Sequence, residues 1–265
     1  MKIAINGACG RMGRAIARLA AEDKEMEIVA GIETDESPFV GKGLAEVYGI
    51  PGAKRKIFKY SELDKALAGA DVLIDFSSPK ITEALAEKAN KAKVKLVIGT
   101  TGIEKETLER VKKKIMDAGN AAVISPNMSI GVNIYFKLCG EMAGLLKGYD
   151  AEIIELHHNK KKDAPSGTAL KAAEIVSEKM GLKKIYGRQG LVGERPKNEI
   201  AIHSVRGGDI VGEHTLMFAG NNERLELTHR AQSRDAFASG ALFAAKWVAK
   251  QKKGAYDMQD ALGLK

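Results

Sequence analysis

The sequence has 265 residues, of which 45% are hydrophobic and 29% are charged, a composition typical of a protein with a sizeable buried core. The formal net charge is +8, but only 5% of the residues are aromatic and the basic residues are spread over predicted helix faces, which disfavours a nucleic-acid-binding protein. No apolar run approaches the roughly 18 residues of a membrane span, no signal peptide is indicated, and the two cysteines lack metal-ligand spacing. We expect a cytoplasmic protein that binds no metal, no nucleic acid and no membrane.

The first half of the chain alternates predicted strands and helices, and its strands are almost entirely apolar. Strands are predicted at 3–6, 27–32, 57–58, 72–76, 96–98 and 121–124, and helices at 11–22, 62–67 and 104–118. Ser61 is a predicted N-cap, and Pro79 is predicted to open a further helix. Apolar strands separated by helices indicate a parallel sheet that is covered on both faces. This half therefore predicts an α/β domain with a doubly wound, Rossmann-type sheet.

The second half has a different pattern. Helices are predicted at 131–146 and 168–180, and strands at 151–157, 199–206, 210–218 and 223–230. Gly207-Gly208 and Asn221-Asn222 separate the last three strands and predict two hairpins, hence an α+β domain with a mainly antiparallel sheet. Ser233 is predicted to cap a last helix at 235–250 that returns to the first domain.

A glycine-rich turn, Gly7 to Gly13, follows the first strand and opens the first helix, as expected of a dinucleotide-binding turn. Its spacing is G-x-x-G-x-x-G and not the standard G-x-G-x-x-G, with Ala8 where the first glycine of that motif would fall. Glu33 ends the second predicted strand, where a carboxylate accepts hydrogen bonds from ribose hydroxyls and repels a 2′-phosphate. No cation follows at positions 34–36, so NADH is favoured over NADPH. The alternatives are an ordinary tight turn and a solvated acid.

Two further loops follow strands at the edge where ligands of doubly wound sheets bind. These are Gly99-Thr100-Thr101-Gly102 and Ser125-Pro126-Asn127-Met128. Both are small and polar and suit a nicotinamide or ribose pocket. Ordinary strand-to-helix turns, with Thr101 or Ser125 as caps, are equally compatible with the spacing.

The segment from Glu155 to Ala169 has two adjacent histidines, three lysines and a Pro-Ser-Gly-Thr turn before a predicted helix. It combines proton donors, positive charge and the backbone N–H groups of a helix start, which together predict a site for an anionic substrate. In the alternative interpretation the lysines are solvated and the hydroxyl residues only cap the helix. We interpret Lys160 and Lys162 as solvated. The remaining histidines are interpreted as structural residues on strands: His203, His214 and His229.

These motifs, in this order and over essentially the whole chain, resemble the dihydrodipicolinate reductase (4-hydroxy-tetrahydrodipicolinate reductase) family of lysine and diaminopimelate biosynthesis. The resemblance implies an oxidoreductase that uses NADH or NADPH, a two-domain subunit, and a homotetramer built through the C-terminal sheets. Many members have a basic residue just after the position of Glu33, where this chain has Thr34.

The resemblance also implies roles for individual residues. His157 and Lys161 transfer protons, and His158, Gly167 and Thr168 bind the substrate, with Ser166 added because its N–H lies at the same helix start. The predicted dinucleotide contacts are Gly7, Ala8, Cys9, Gly10, Arg11, Met12, Glu33, Gly99, Thr100, Thr101, Ser125, Pro126, Asn127 and Met128. We expect a dinucleotide-binding domain at 1–127, with 236–265 packing back onto it, and a substrate-binding and oligomerisation domain at 128–235.

The leading hypothesis is therefore reduction of a dicarboxylate, 4-hydroxy-tetrahydrodipicolinate, to tetrahydrodipicolinate by hydride transfer from NAD(P)H. One alternative is another two-domain NAD(P)-dependent dehydrogenase, acting on an amino acid or a polyol. The other is a regulator that senses NADH without turnover. A nucleic-acid binder would instead show binding that weakens steeply with salt.

Overall fold

The computed structural model describes residues 1–49 and 55–265. The chain divides into two compact units. Unit 1 consists of Met1–Ile130 and Asp235–Lys265, and unit 2 consists of Gly131–Arg234. No helix within the described ranges is long and apolar enough to cross a membrane.

Unit 1 contains a seven-stranded sheet in which all paired strands are parallel, in the order β12-β6-β5-β4-β1-β2-β3. Its strands are β1 (Lys2–Asn6), β2 (Glu27–Glu33), β3 (Ile57–Lys59), β4 (Val72–Asp75), β5 (Lys95–Ile98), β6 (Ala121–Ile124) and β12 (Gly254–Tyr256). Its helices are α1 (Arg11–Glu22), α2 (Leu44–Tyr48), α3 (Leu63–Leu67), α4 (Thr82–Lys91), α5 (Lys105–Asp117), α8 (Asp235–Val248) and α9 (Met258–Ala261). Strand order reverses between β1 and β4, so the predicted doubly wound sheet is confirmed.

Helices cover both faces of this sheet. Alternate side chains of its apolar strands point to opposite sides, so each face has its own buried cluster. Ile3 and Ile5 lie in one buried cluster with Ile16 of α1 and Ala241 of α8. Residues of the opposite face, such as Leu73, pack in a second cluster with α4 and α5 residues. Fully buried apolar strands of this kind are stable only when helices cover both sides.

Of two helix starts predicted in unit 1, the one at Ser61 differs from the structure and the one at Pro79 agrees with it. Ser61 is not an N-cap: it lies inside a short 3-10 helix, Tyr60–Glu62, and its backbone N–H donates to Asp35 Oδ1 at 2.9 Å. The α3 N-cap is Glu62, without a side-chain cap. Pro79 does open a helical segment, a 3-10 turn Pro79–Ile81 that continues into α4.

Unit 2 contains a five-stranded mixed sheet in the order β11-β10-β7-β9-β8. Its strands are β7 (Asp150–His157), β8 (Lys183–Tyr186), β9 (Glu199–Arg206), β10 (Gly212–Ala219) and β11 (Arg224–Ala231), and its helices are α6 (Ile130–Leu145) and α7 (Gly167–Met180). Strand β10 is antiparallel to both neighbours, whereas β7, β9 and β8 run parallel to one another. The predicted class, an α+β unit with antiparallel pairing, is confirmed.

The hairpin predicted at Asn221-Asn222 is confirmed, because β10 pairs with β11. The hairpin predicted at Gly207-Gly208 is wrong. Strand β7 lies between β9 and β10, and Gly207 N–H donates to His157 O of β7 at 2.9 Å. The glycine pair therefore leads the chain across the end of β7, a connection that local turn residues do not distinguish from a hairpin.

Alternation along β7 gives the unit 2 sheet two different faces. Ala151 and Ile153 point into a buried cluster with residues of α6 and α7. Glu155 and His157 continue the same face beyond this core. Ile154 and Leu156 point to the opposite face, beside Val205 of β9, which is 44% exposed. One face therefore forms the core of unit 2, and the other is partly open.

Candidate functional site

The glycine turn after β1 requires glycine at two positions. Gly7 has a φ of +74°, and a Cβ atom there would lie 2.4 Å from Phe76 O. A Cβ atom at Gly13 would lie 2.3 Å from Gly7 O. Because no side chain is tolerated at either place, the chain can turn tightly between β1 and α1. This geometry fits the close approach of a dinucleotide pyrophosphate.

Helix α1 begins directly after this turn. Its N-cap is Gly10, which provides no side-chain cap, and the first turn has no acidic residue. The first N–H groups of a helix have no intrahelical acceptor and carry partial positive charge, so this end attracts an anion. Arg11, the first residue of the helix, is exposed there. The site therefore has the charge that a pyrophosphate requires.

Glu33 is fixed against the glycine turn and is not a freely solvated acid. Its Oε1 accepts a hydrogen bond from Cys9 N at 2.6 Å. Burial, together with the neighbouring Glu33 carboxylate, raises the pKa of the Cys9 thiol to about 11. The Cys9 thiol is thus protonated at neutral pH. The Glu33 carboxylate, at the end of β2, is held in place by the backbone N–H of Cys9.

The other predicted cofactor residues lie at the carboxyl ends of neighbouring strands of unit 1. Gly99 to Thr101 follow β5, and Ser125 to Met128 follow β6. The Ser125 hydroxyl donates to Asn127 O at 2.8 Å, which fixes that loop. The side chains of Ala8 and Met128 are buried in the apolar core, so only their backbone is available to a ligand. Met12 packs against the same core and is partly exposed.

A buried polar network that was not predicted joins three of these strand ends. Asp75, at the end of β4, is fully buried and accepts from Asn6 Nδ2 (2.8 Å), Ser77 Oγ (2.5 Å) and Thr100 Oγ1 (2.8 Å). Burial raises the pKa of the Asp75 carboxyl, opposed by these hydrogen bonds. Asp75 is the single polar residue of its predicted strand, and this signal was present in the sequence. The network spans the point where strand order reverses.

The charged residues of unit 2 gather around Glu155, at the end of β7. The Glu155 side chain is 0% exposed, and His157 Nδ1 lies 2.5 Å from Glu155 Oε2. Arg206 of β9 donates to both carboxylate oxygens, at 2.9 and 2.7 Å. Burial would raise the pKa of Glu155, but hydrogen bonds from Arg206 and His157 outweigh it, and the resulting pKa is about 2. The carboxylate is therefore ionised at neutral pH.

The start of helix α7 is attached to the same carboxylate. Ser166 N donates to Glu155 Oε1 at 3.1 Å, and the Ser166 hydroxyl accepts from Ala169 N as the α7 N-cap. The structure thus gives Ser166 a role other than the predicted one, because its N–H is already used. Gly167, the first residue of α7, is exposed, and a Cβ atom there would meet nothing within 4 Å. The predicted anion site comprises His158, Ser166, Gly167 and Thr168, and Gly167 is its exposed residue at the helix start.

The lysines of the segment differ as predicted. Lys160 and Lys162 are exposed, whereas the Lys161 side chain is 20% exposed and its Nζ lies 2.9 Å from Asp163 Oδ1. Arg206 Nη2 donates to Asp163 O at 2.8 Å, which ties this loop to the end of β9. Lys161 is therefore the lysine held near the histidines.

His214, interpreted from the sequence as structural, lies in this cluster. Its Nε2 is 2.9 Å from Ser166 Oγ, and its ring is edge-on to the His157 ring at 5.2 Å. Burial, and next the neighbouring His157, lower the pKa of His214 to about 3, so the ring is neutral. Burial also lowers the pKa of His157, opposed by Glu155. His203 lies elsewhere, on the opposite face, bonded to Glu152 at 2.8 Å.

Family models match almost the whole chain. Residues 1–128 match the model described as the N-terminus of dihydrodipicolinate reductase, and residues 131–262 match the model of its C-terminus. A 4-hydroxy-tetrahydrodipicolinate reductase from Methanocaldococcus jannaschii is 46% identical over 268 residues, covering 100% of this chain and 98% of the relative.

Solved structures agree at two levels of similarity. A dipicolinate-bound dihydrodipicolinate reductase from Paenisporosarcina sp. TG-14 has a TM-score of 0.79 and 27% identity, covering 98% of each chain. A myo-inositol 2-dehydrogenase from Lactobacillus plantarum has a TM-score of 0.61 and 12% identity, covering 100% of this chain and 94% of its own, and shows the fold alone.

The doubly wound unit with its glycine turn, the histidine and lysine side chains around Glu155 in unit 2, and the matching relatives define an NAD(P)H-dependent oxidoreductase. The chain belongs to the dihydrodipicolinate reductase family. The predicted family and enzyme class are thereby confirmed. The roles predicted for individual residues stay predictions.

Replacing Asp75 tests the network beneath the cofactor loops. We expect Asp75→Ala to remove the carboxylate acceptor of Ser77 and Thr100 and one of the two acceptors of Asn6, which costs about 1–3 kcal/mol for each group left unsatisfied. The variant should melt at a lower temperature and bind NADH at least ~10-fold more weakly, measured by calorimetry. Asp64→Ala, which removes an exposed acid paired with Lys88, is the control. Unchanged NADH affinity in folded Asp75→Ala would show that the network does not position the cofactor loops.

Proposed function

We propose that this chain reduces 4-hydroxy-tetrahydrodipicolinate to tetrahydrodipicolinate with a hydride from NADH, as a step of lysine and diaminopimelate biosynthesis. One observation carries the proposal: Lys161, His157 and the start of α7 lie together at one end of the unit 2 sheet, around Glu155. The relative from Paenisporosarcina was solved with dipicolinate, a planar dicarboxylate, and supports a substrate of this kind.

A substrate carboxylate is best accommodated at the start of α7. The exposed backbone N–H of Gly167 and that of Thr168 lie at the positive end of the helix. His158 and Lys161 add charge-assisted hydrogen bonds. All of these groups can donate a hydrogen bond to the substrate carboxylate. Hydrogen bonds to an anion are among the stronger ones that a protein makes.

The nicotinamide of the cofactor supplies the hydride, and the protein supplies orientation and a proton. The 4-hydroxyl group of the substrate leaves as water, which makes the ring conjugated. Hydride addition to one carbon of that ring then leaves the neighbouring carbon electron-rich, so that carbon must be protonated. Lys161 carries an ammonium group and is the proposed donor. His157 is neutral near pH 7 because burial lowers its pKa, and it is the proposed proton acceptor that later returns a proton. General acid help of this kind contributes about 10²–10⁴-fold in rate.

The NADH preference rests on Glu33. Its carboxylate lies beside the glycine turn, held by Cys9 N–H, where it would accept from the adenosine ribose hydroxyls and repel a 2′-phosphate. The residues that follow, Thr34, Asp35 and Glu36, provide no cation for that phosphate.

The homotetramer is proposed from family membership and supported by the open face of the unit 2 sheet. Ile154, Leu156 and Val205 share this face and are only partly buried. Apolar residues on an open sheet face are typical of surfaces that pair with another subunit. Light scattering should give four times the chain mass, and the mass of a single chain at micromolar concentration would contradict the proposal.

Lys161→Met tests the proposed proton donor, because it keeps an apolar stem and removes the ammonium group. We expect turnover to fall about 100-fold, with NADH affinity unchanged within about twofold. Turnover is followed as loss of NADH absorbance with the freshly formed condensation product of aspartate semialdehyde and pyruvate. Lys162→Met, at the exposed neighbour, should behave as the unmodified chain.

Two results would contradict this proposal in different ways. If Lys161→Met and Lys162→Met turn over equally well, Lys161 is not the proton donor. If the folded, unmodified chain binds NADH and oxidises none with this substrate, the proposed reaction itself is wrong.

Glu33→Gln tests the cofactor preference, because glutamine can still accept from Cys9 N–H but has no charge. We expect the ratio of kcat/KM for NADH to that for NADPH to exceed one in the unmodified chain and to fall roughly tenfold in the variant, equivalent to about 1.4 kcal/mol. Asp35→Asn removes a neighbouring charge and should change the ratio little. An unmodified chain that prefers NADPH would contradict the role of Glu33.

A further inference from the structure

The Glu155 carboxylate has more partners than a simple ion pair requires. It is bonded by His157 from its own strand, by both terminal nitrogens of Arg206 from β9, and by the Ser166 N–H from the start of α7. Its side chain is 0% exposed. Three separate segments of unit 2 therefore take their positions from one buried carboxylate.

This contact determines where the proton of His157 lies. Because the Glu155 carboxylate is ionised and can only accept, the His157 nitrogen facing it, Nδ1, must carry a hydrogen. Nε2 of the neutral ring is then the nitrogen with a free lone pair. A Cβ atom at Gly212 would lie 3.0 Å from this Nε2, so the glycine leaves space beside it. The His157 ring is thus oriented with its proton acceptor, Nε2, beside Gly212.

We propose that Glu155 is a positioning residue for proton transfer, which fixes the tautomer of His157 and holds that ring in register with the anion-binding start of α7. The inference rests on the proposed function, in which His157 exchanges a proton and α7 binds a substrate carboxylate. Arg206 has the complementary role, since it keeps Glu155 ionised while adding a positive charge near the ring. The geometry resembles that of other sites where a carboxylate orients a catalytic histidine.

Charged and titratable side chains from β7, β9, β10 and the loop after β7 surround His157. Glu155 of β7 is negative, and Arg206 of β9 and Lys161 of the following loop are positive. Asp163 is paired with Lys161, and His214 of β10 is neutral. Removing the charge of Glu155, which contacts the ring directly, should therefore destabilise a protonated His157 ring, whereas removing Arg206 should stabilise it.

The alternative is that Glu155 and Arg206 form a purely structural ion pair. Both substitutions would then weaken folding in the same way, because each leaves one buried charge without its partner. A positioning role instead predicts opposite changes in the titration of His157. The sign of the change, taken together with a loss of kcat at unchanged NADH affinity, therefore separates the two interpretations.

The experiment compares Glu155→Gln and Arg206→Met in the full chain, with the His157 ring followed by NMR as pH is varied. We expect its titration midpoint to move to lower pH in Glu155→Gln and to higher pH in Arg206→Met, each by about one unit. The limb of the kcat/KM profile that reports His157 should move with it. In Glu155→Gln, kcat should fall at least ~10-fold while the affinity for NADH stays the same.

Glu152→Gln is the matched control. Glu152 is also a buried glutamate of β7 bonded to two arginines, but it points to the opposite face of the sheet. The Glu152→Gln substitution should lower the melting temperature without moving the titration midpoint of His157. Midpoints that stay unchanged, or that move in the same direction in both test variants, would overturn the proposal.

The Arg206→Met variant provides a second reading of the His157 titration. If Glu155→Gln fails to fold, the direction of the shift in Arg206→Met decides: a higher midpoint supports the proposal and an unchanged one overturns it. The titration needs neither substrate nor cofactor. Failure of the proposed reaction is therefore recognised separately, in the NADH oxidation assay of the unmodified chain.

Discussion

The constraint on which both candidate sites depend is the cost of burying a carboxylate at the end of a strand. A buried charge is tolerated only when donors surround it, and the donors here come from several segments that are far apart in the chain. Asp75 collects neutral donors from β1 and from the loops after β4 and β5. Glu155 collects Arg206, His157 and the start of α7. Each carboxylate thereby fixes loops whose own sequences would permit many conformations.

The two carboxylates differ in the charge of their hydrogen-bond donors. Asp75 has polar neighbours without charge, and burial raises its pKa. Such a network suits loops that hold a cofactor by shape and backbone. Glu155 is paired with an arginine and stays ionised. It can therefore orient a histidine and stabilise the protonated ring after proton transfer, which a neutral carboxyl could not do. A buried carboxylate at a strand end, with donors from several segments, is thus common to the two candidate sites.

Much of this was predictable from sequence, because the signals are local. The apolar strands and the helices that follow the glycine turn and the histidine–lysine segment were predicted correctly as structure. The alternation of β7 already puts Glu155 and His157 on one face. Arg206 was missed because its approach depends on parallel pairing of β9 with β7, whereas Gly207-Gly208 predicted a hairpin. The short edge strand β8 was missed because its lysines and exposed Tyr186 carry no burial pattern. Pairing between distant strands is what local patterns cannot supply.

We propose that the end of the unit 2 sheet around Glu155 binds the substrate's carboxylates. The most direct test is an NMR titration of the ¹⁵N-labelled chain with dipicolinate, a stable dicarboxylate, in the presence of NADH. We expect saturable shifts of the Gly167 and Thr168 backbone N–H signals and of the His158 ring, because these groups lie at the positive start of α7. Saturable binding of dipicolinate that leaves residues 157–168 unperturbed would contradict the assignment of the site.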